Sequence, residues 1–168
     1  DLGRARSREG GRVILTESGS YRHPDDPGEP STGDPRLSVT DLEAAILTEL
    51  VDGLSVLEIG TGLGVSTRAL ALSAVVVHTV DVDPWVQRTI WPGLPGNVIC
   101  HTTIETTPAV DVAFIDGDHS EDATRRDIAS TDARMMIVHD ANSPTVRAAM
   151  GDGWRIIPTA HGLGVRRT

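Results

Sequence analysis

The sequence predicts an α/β domain: a mostly parallel sheet with helices on both faces. Three observations predict it. Apolar, β-branched runs alternate with stretches of helical spacing along most of the 168 residues, the pattern of repeated strand–helix–strand units. Residues 56–64, VLEIGTGLG, form an apolar run that ends in an acidic residue and three alternating glycines. Several of the strands end in acidic residues, so one rim of the sheet collects carboxylates.

The elements follow from local signals. Thr40 and Glu43 make a capping box, with Leu42, Ile46, Leu47 and Leu50 at helical spacing behind it, so order begins with a helix at Thr40. Residues 54–59 read as a strand, and the glycine turn leads into a helix from Val65 to about Leu72. Residues 74–80 are a second strand, ending at Asp81, and Pro84 opens a helix to about Ile90. Residues 97–101 and 110–115 are strands, the latter ending at Asp116. A helix starts at His119 or Ser120 and runs to about Ser130. Residues 135–138 form a strand ending at His139 and Asp140. Ser143 and Pro144 start a helix to about Met150, with proline at the tolerated first position. Residues 154–158 and 162–166 close the sheet as a pair of strands. The connection from His101 to Val110 is too short for a full helix, so that crossover reduces to a loop.

The length suits one domain, assigned to residues 37–168. Residues 1–36 are rich in glycine and proline turns, with one strand-like run at 12–16; they read as an arm, either a lid over the site or a solvated tail. The chain begins at Asp1 rather than methionine, which reads as a missing start. The net charge of −9 argues against nucleic acid or an anionic membrane as partner, since both need a basic face. All 15 basic residues are arginine. There is no membrane-length apolar run and no signal-peptide pattern. The one cysteine, Cys100, has no internal partner and reads as a small buried side chain; a cytoplasmic setting is expected.

The glycine turn carries chemistry. Gly60, Gly62 and Gly64 let a ligand lie against bare backbone, and the helix behind them offers free N–H groups to an anion. The spacing is G-x-G-x-G after Glu58, whereas dinucleotide folds use G-x-G-x-x-G. Ligands of open α/β sheets bind at the carboxyl ends of the strands, where Glu58, Asp81, Asp116, Asp118, His139 and Asp140 gather. Asp81 ends the strand after the glycine turn, about 20 residues on, where a carboxylate accepts hydrogen bonds from ribose hydroxyls. Asp83 reads as turn chemistry with Pro84.

The run VLEIGTGLG, residues 56–64, resembles motif I of the class I S-adenosylmethionine-dependent methyltransferases. Residues 111–128, DVAFIDGDHSEDATRRDI, with residues 137–142, IVHDAN, resemble the metal-dependent O-methyltransferases, nearest the small "methyltransferase 24" group. The resemblance spans about residues 38–164. It implies a single Rossmann-like methyltransferase domain with a seven-stranded sheet whose last strand is antiparallel. It implies S-adenosylmethionine as cofactor, contacted by Glu58, Gly60, Thr61, Gly62, Gly64, Asp81, Val82, Thr103, Ile104 and Asp116. It implies a divalent metal, Mg²⁺ or Mn²⁺, at Asp116 and at the adjacent pair His139 and Asp140. Relatives mostly carry Asp-Asn or Glu-Asp at that pair, so His139 is a departure, either a ligand or a buried orienting group; Asn142 offers an amide oxygen nearby. His119 falls where sugar-modifying relatives place a base, and its pKa range suits proton removal near neutrality; the alternative is a helix cap.

The implied reaction is methyl transfer to a hydroxyl of a small molecule, with no nucleic acid or membrane partner and room for a homodimer. Two other readings fit part of the pattern. A non-catalytic S-adenosylmethionine-binding domain is suggested by His139 and the trimmed crossover. A nicotinamide-dependent oxidoreductase is opposed by the glycine spacing and the acidic rim. Trp85 and Trp91 read as packing residues, His101 and His161 as structural, and Arg125 and Arg126 as a solvated helix face.

Overall fold

The computed structural model describes residues 39–168 and two short strands before them, Ile14–Leu15 (β1) and Tyr21–Arg22 (β2). β1 and β2 pair antiparallel as a ribbon separate from the main sheet, so the strand-like run at 12–16 does contain a strand. The rest of the expected arm lies outside the described residues.

From Val39 onward the chain alternates. The elements are α1 (Asp41–Leu50), β3 (Ser55–Ile59), α2 (Val65–Ala71), β4 (Val76–Val80), α3 (Pro84–Thr89), β5 (Val98–His101) and β6 (Val112–Ile115). Then come α4 (Glu121–Ala129), β7 (Met135–Val138), α5 (Pro144–Met150), β8 (Arg155–Ile157) and β9 (Leu163–Arg167). The seven-stranded sheet runs in the order β5-β4-β3-β6-β7-β9-β8. β3 to β7 run parallel to one another, and β9 enters antiparallel between β7 and β8. The seven strands, the closing hairpin and the antiparallel last strand are as the sequence predicts. Between β5 and β6 there is only the 3₁₀ turn Ile104–Thr106, the trimmed crossover.

The strand pattern follows from burial on both faces, which demands near-continuous apolar runs. Every residue of β6 and β7 is buried, and alternation along each strand divides them between two cores. Phe114 and Ile137 pack with Leu47 of α1 and Leu70 of α2. Their neighbours Ile115 and Val138 pack with Val146 and Met150 of α5 and with Ile128 of α4. β5 is an edge strand, so Ile99 is exposed and Cys100 is half-buried rather than buried.

The capping box is present: Thr40 accepts from the Glu43 amide, and the Glu43 carboxylate accepts from the Thr40 amide at 2.8 Å. The inward face of α1 differs from the predicted one. Leu42 is 59% exposed, and Glu43 is fully buried one turn before Leu47. A helix turns about 100° per residue, so a face centred on Glu43 and Leu47 leaves Leu42 outside. Among the described residues no helix is long and apolar enough to cross a membrane.

The strand order reverses beside β3, whose neighbours are β4 on one side and β6 on the other. Such a switch point opens a crevice at the carboxyl ends of the strands.

Candidate functional site

A cavity of about 530 Å³ lies at that switch point. Its wall includes Gly60 and Gly62 after β3, Asp81 and Val82 after β4, and Asp116, Gly117 and Asp118 after β6. The glycines divide their work. Gly60 has φ +97°, and a Cβ there would collide with the Asp116 backbone carbonyl, so this glycine lets the β3 and β6 loops meet. Gly62 has φ +49° and faces open space; a side chain there would occupy room that a ligand could use. Gly64 has φ +73° as the N-cap of α2, and a Cβ would meet Arg68, Ile90 and Leu94. Gly64 is therefore a packing position outside the cavity wall, where the sequence suggests a ligand contact.

Asp81 Oδ2 accepts the Gly62 N–H at 3.0 Å, and its Oδ1 accepts the Asp83 N–H at 2.8 Å. The carboxylate is thus tied to the glycine turn and still faces the cavity with free lone pairs. Asp83 caps α3 through the Trp85 amide, the turn chemistry expected of it. Val82, 80% exposed, stands at the cavity wall beside Asp81.

Besides Gly64, four expected cofactor contacts do not line this cavity. Glu58 is fully buried and accepts hydrogen bonds at 2.6 Å from the hydroxyls of Ser66, Thr67 and Thr79. It ties β3 to β4 and α2 beneath the glycine turn. Burial pushes its carboxyl up to about 7 against those three donors. Thr61 is buried as well, its hydroxyl 2.7 Å from that of Thr79 and 3.4 Å from Nε1 of Trp91. Trp91 therefore packs under the turn. Thr103 and Ile104 open the 3₁₀ turn after β5 and also stand outside the cavity wall.

On the β6–β7 side, four side chains converge. His119 Nε2 lies 3.3 Å from Asp116 Oδ1 and 3.2 Å from Asp140 Oδ2. His139 Nδ1 lies 3.0 Å from Asp116 Oδ1 and 3.1 Å from Asp140 Oδ2. Asp140 reaches this position through a left-handed backbone, φ 55°, which a non-glycine residue adopts at a cost. Its Oδ2 is buried with no hydrogen-bond partner of good geometry. Asp116, His139 and Asp140 thus bring three potential metal-ligand atoms together, the three residues the sequence nominates. A buried carboxylate oxygen that meets only imidazole nitrogens, beside a second carboxylate, belongs to a donor set that fits a cation.

Electrostatics agrees with the geometry. Burial alone would raise Asp116 and lower His139; the imidazole and carboxylate reverse both. His139 and His119 hold the Asp116 carboxyl well below the usual range. Asp116, with hydrogen bonds to Asp140 and Glu43, pushes His139 up to about 12. The hydrogen bond to Asp116 also raises His119, against partial burial. His119 does not cap α4. Ser120 does, accepting from the Ala123 amide at 3.4 Å, which leaves the imidazole of His119 turned to the carboxylates.

Two further features were not assigned to a site from sequence, and Asn142 departs from its expected place. Glu43 Oε2 lies 3.4 Å from His139 Nε2 and 2.8 Å from His161 Nδ1, while Oε1 accepts from Thr159 at 2.6 Å and from the His161 amide at 3.0 Å. The capping box accounts for Glu43 locally and conceals this second use; pairings over 96 and 118 residues leave no local signal. Arg125, paired with Glu121, and Arg126 are both exposed, as expected, but Arg126 also lines the cavity together with Asp127. Asn142 turns away from the carboxylates: its Nδ2 donates to Thr159 and Ala160 carbonyls. Its Oδ1 would be 2.6 Å from a Cβ at Gly162, so the amide oxygen is placed beside that glycine. His101 pairs with His78 at 2.9 Å at the sheet edge, a structural contact as expected.

No protein-family model matches the chain, and no curated protein sequence matches it. Solved structures do. The O-methyltransferase TomG of Streptomyces achromogenes, involved in tomaymycin synthesis and solved with S-adenosylmethionine, is 17% identical with a TM-score of 0.58, covering 77% of this chain and 80% of that one. The tRNA (m1A58) methyltransferase TrmI of Aquifex aeolicus is 14% identical with a TM-score of 0.59, covering 78% and 70%. The N-methyltransferase NodS of Bradyrhizobium japonicum is 18% identical with a TM-score of 0.53, covering 76% and 93%. At these identities the likeness is one of fold: the Rossmann-like fold of class I S-adenosylmethionine-dependent methyltransferases.

Proposed function

We propose that this protein transfers a methyl group from S-adenosylmethionine to a hydroxyl of a small molecule, assisted by a divalent cation, in the manner of the metal-dependent O-methyltransferases. The observation that carries the reading is the placement of His119, a half-exposed imidazole within 3.3 Å of two carboxylates at the same strand ends as the glycine-floored cavity. A base, a polar anchoring cluster and a cofactor cradle at one rim are what alkylation of a hydroxyl requires.

Gly60 and Gly62 supply the floor on which the cofactor lies. Asp81 accepts hydrogen bonds from the ribose hydroxyls, and Val82 offers apolar surface beside it. The sulfonium already activates the methyl carbon, so the protein aligns the acceptor and removes its proton. The acceptor oxygen bonds to the methyl carbon as the carbon–sulfur bond breaks, and sulfur keeps that electron pair. The hydroxyl proton passes to the imidazole of His119. A cation held by Asp116, His139 and Asp140 would lower the acceptor hydroxyl pKa and orient it.

Neighbours of this fold include an enzyme whose substrate is tRNA. The net charge of −9 and the acids around the cavity favour a small acceptor over RNA. Incubation with methyl-labelled S-adenosylmethionine and a panel of phenols, sugars and RNA tests the reading. Label on a small hydroxyl compound is the expected result, and label on RNA alone would overturn the acceptor class.

A further inference from the structure

We propose that Arg126 and Asp127 of α4 form a subsite for an α-amino-acid zwitterion, the guanidinium taking its carboxylate and the Asp127 carboxylate taking its ammonium. The inference deepens the function proposed above and rests on it for one source of such a group, the methionine end of the cofactor. The other source is an acceptor that is itself a hydroxyl-bearing amino acid.

Five charged side chains line the cavity: Asp81, Asp116, Asp118, Arg126 and Asp127. Three of them are already held. Asp81 accepts the Gly62 and Asp83 amides. Asp116 meets the imidazoles of His119 and His139. Asp118 Oδ1 accepts the Ser120 amide at 2.8 Å. Among the described residues, neither the Arg126 guanidinium nor the Asp127 carboxylate has a hydrogen-bond or ion-pair partner, each other included. Two opposite charges held side by side and unpaired at a cavity wall are complementary to a ligand that carries both.

Helical spacing places them there. Ala123, Arg126 and Asp127 stand at i, i+3 and i+4 and so share one face of α4, the face on the cavity. Ala123 is the smallest of the three and leaves space beside the other two. Gly117 makes room for the carboxylate: a Cβ there would stand 3.0 Å from Asp127 Oδ2. The Gly117 backbone lies outside the left-handed region, so its conformation does not call for glycine. Asp127 is half-buried, partly stripped of water, and gains from a cation that a ligand brings. An ammonium offers three donors, and a guanidinium takes a carboxylate through two parallel N–H groups. A ligand with only an anion would face Asp81, Asp116, Asp118 and Asp127 around a single guanidinium. A ligand with only a cation would leave Arg126 unused. A zwitterion satisfies both charges at once.

The test is calorimetry on the full chain with S-adenosylhomocysteine, which carries the amino-acid end, and 5′-methylthioadenosine, which lacks it. L-serine and L-tyrosine are titrated into the chain alone and into its S-adenosylhomocysteine complex. Arg126→Gln and Asp127→Asn keep the shape and remove the charges; should one not fold, Arg126→Lys or Asp127→Glu, which displace the charge, replaces it with the same expectation. If the cofactor fills the subsite, each variant weakens S-adenosylhomocysteine about tenfold or more and leaves methylthioadenosine unchanged. If the acceptor fills it, the complex binds serine or tyrosine, each variant weakens that binding about tenfold or more, and both nucleosides keep their affinity. The inference is overturned if methylthioadenosine weakens as much as S-adenosylhomocysteine, or if only one of the two charges matters. Nucleoside binding that the variants leave unchanged, with no amino-acid binding, defeats this inference alone. Amino-acid binding to the free chain that the variants lose, without nucleoside binding, defeats methyl transfer alone. Absence of binding by any of these ligands overturns both.

Discussion

Glu43 and His139 stand 96 residues apart in sequence, yet Oε2 of one lies 3.4 Å from Nε2 of the other, with both side chains closed off from water. A helix cap at the start of the domain and a residue at the end of a central strand thereby become parts of one buried polar network. An unpaired group in such a network costs about 1–3 kcal/mol, and His161 Nε2 is a member left without a hydrogen-bond partner. The network fixes where His139 points, and His139 with Asp116 and Asp140 forms one side of the site.

Cation dependence follows. Chelation should abolish methyl transfer, and Mg²⁺ or Mn²⁺ should restore it. Asp116→Asn and Asp140→Asn should each lose that rescue. Full turnover in excess chelator would take the cation out of the mechanism.

His119→Ala should lower the rate by about 10²- to 10⁴-fold, the range for a positioned base. Cofactor affinity should stay nearly constant, since the imidazole is not part of the cavity wall. The rising limb of the pH–rate profile, in the imidazole range, should vanish in the variant. A retained limb would leave proton removal to another group. Stability should change little, because Ser120 rather than His119 caps α4.

Glu58 predicts a pH dependence of stability. Its folded pKa of about 7 exceeds the ordinary 4.5, so the fold binds a proton the unfolded chain releases. The associated stability is whole below about pH 4.5 and is lost as pH rises through 7, by about 3 kcal/mol in all. Glu58→Gln keeps the shape and removes the titration. Urea unfolding at pH 5 and pH 8 should show the variant gaining on the parent as pH rises. Parallel profiles would mean that the three hydroxyls keep Glu58 ionised throughout.

The glycines predict opposite failures. Gly60→Ala places a Cβ against the Asp116 carbonyl at positive φ and should cost at least about 2 kcal/mol of stability. Gly62→Ala meets open space; it should cost about 1 kcal/mol yet weaken cofactor binding, because the methyl enters the cavity. Thermal melts and calorimetry on the pair check both. Equal effects on folding would mean that the two positions do not divide the work.

Much of this was legible in sequence because it is local. Apolar runs, Pro84, Pro144 and the Thr40 cap mark elements within a few residues of where they stand. Strand ends gather at one rim by topology alone, which brought Asp81, Asp116, His139 and Asp140 into view. What escaped depends on side-chain direction. Glu58 and Thr61 belong to the motif but point beneath the turn, and Gly64 packs toward Ile90 and Leu94. Glu43 carried a sufficient local explanation as a cap, and no periodicity announces contacts with His139 and His161. Arg125 and Arg126 are neighbours in sequence, yet helical rotation sends one to Glu121 and the other to the cavity.

The most direct test is titration of the wild-type chain and Asp81→Ala with S-adenosylmethionine by calorimetry. The account predicts binding of one cofactor to the parent. It predicts a 10- to 100-fold weaker affinity in the variant, from loss of charge-assisted hydrogen bonds worth about 1.5–3 kcal/mol, with little change in melting temperature. Absence of binding to the parent, or unchanged affinity in Asp81→Ala, would contradict it.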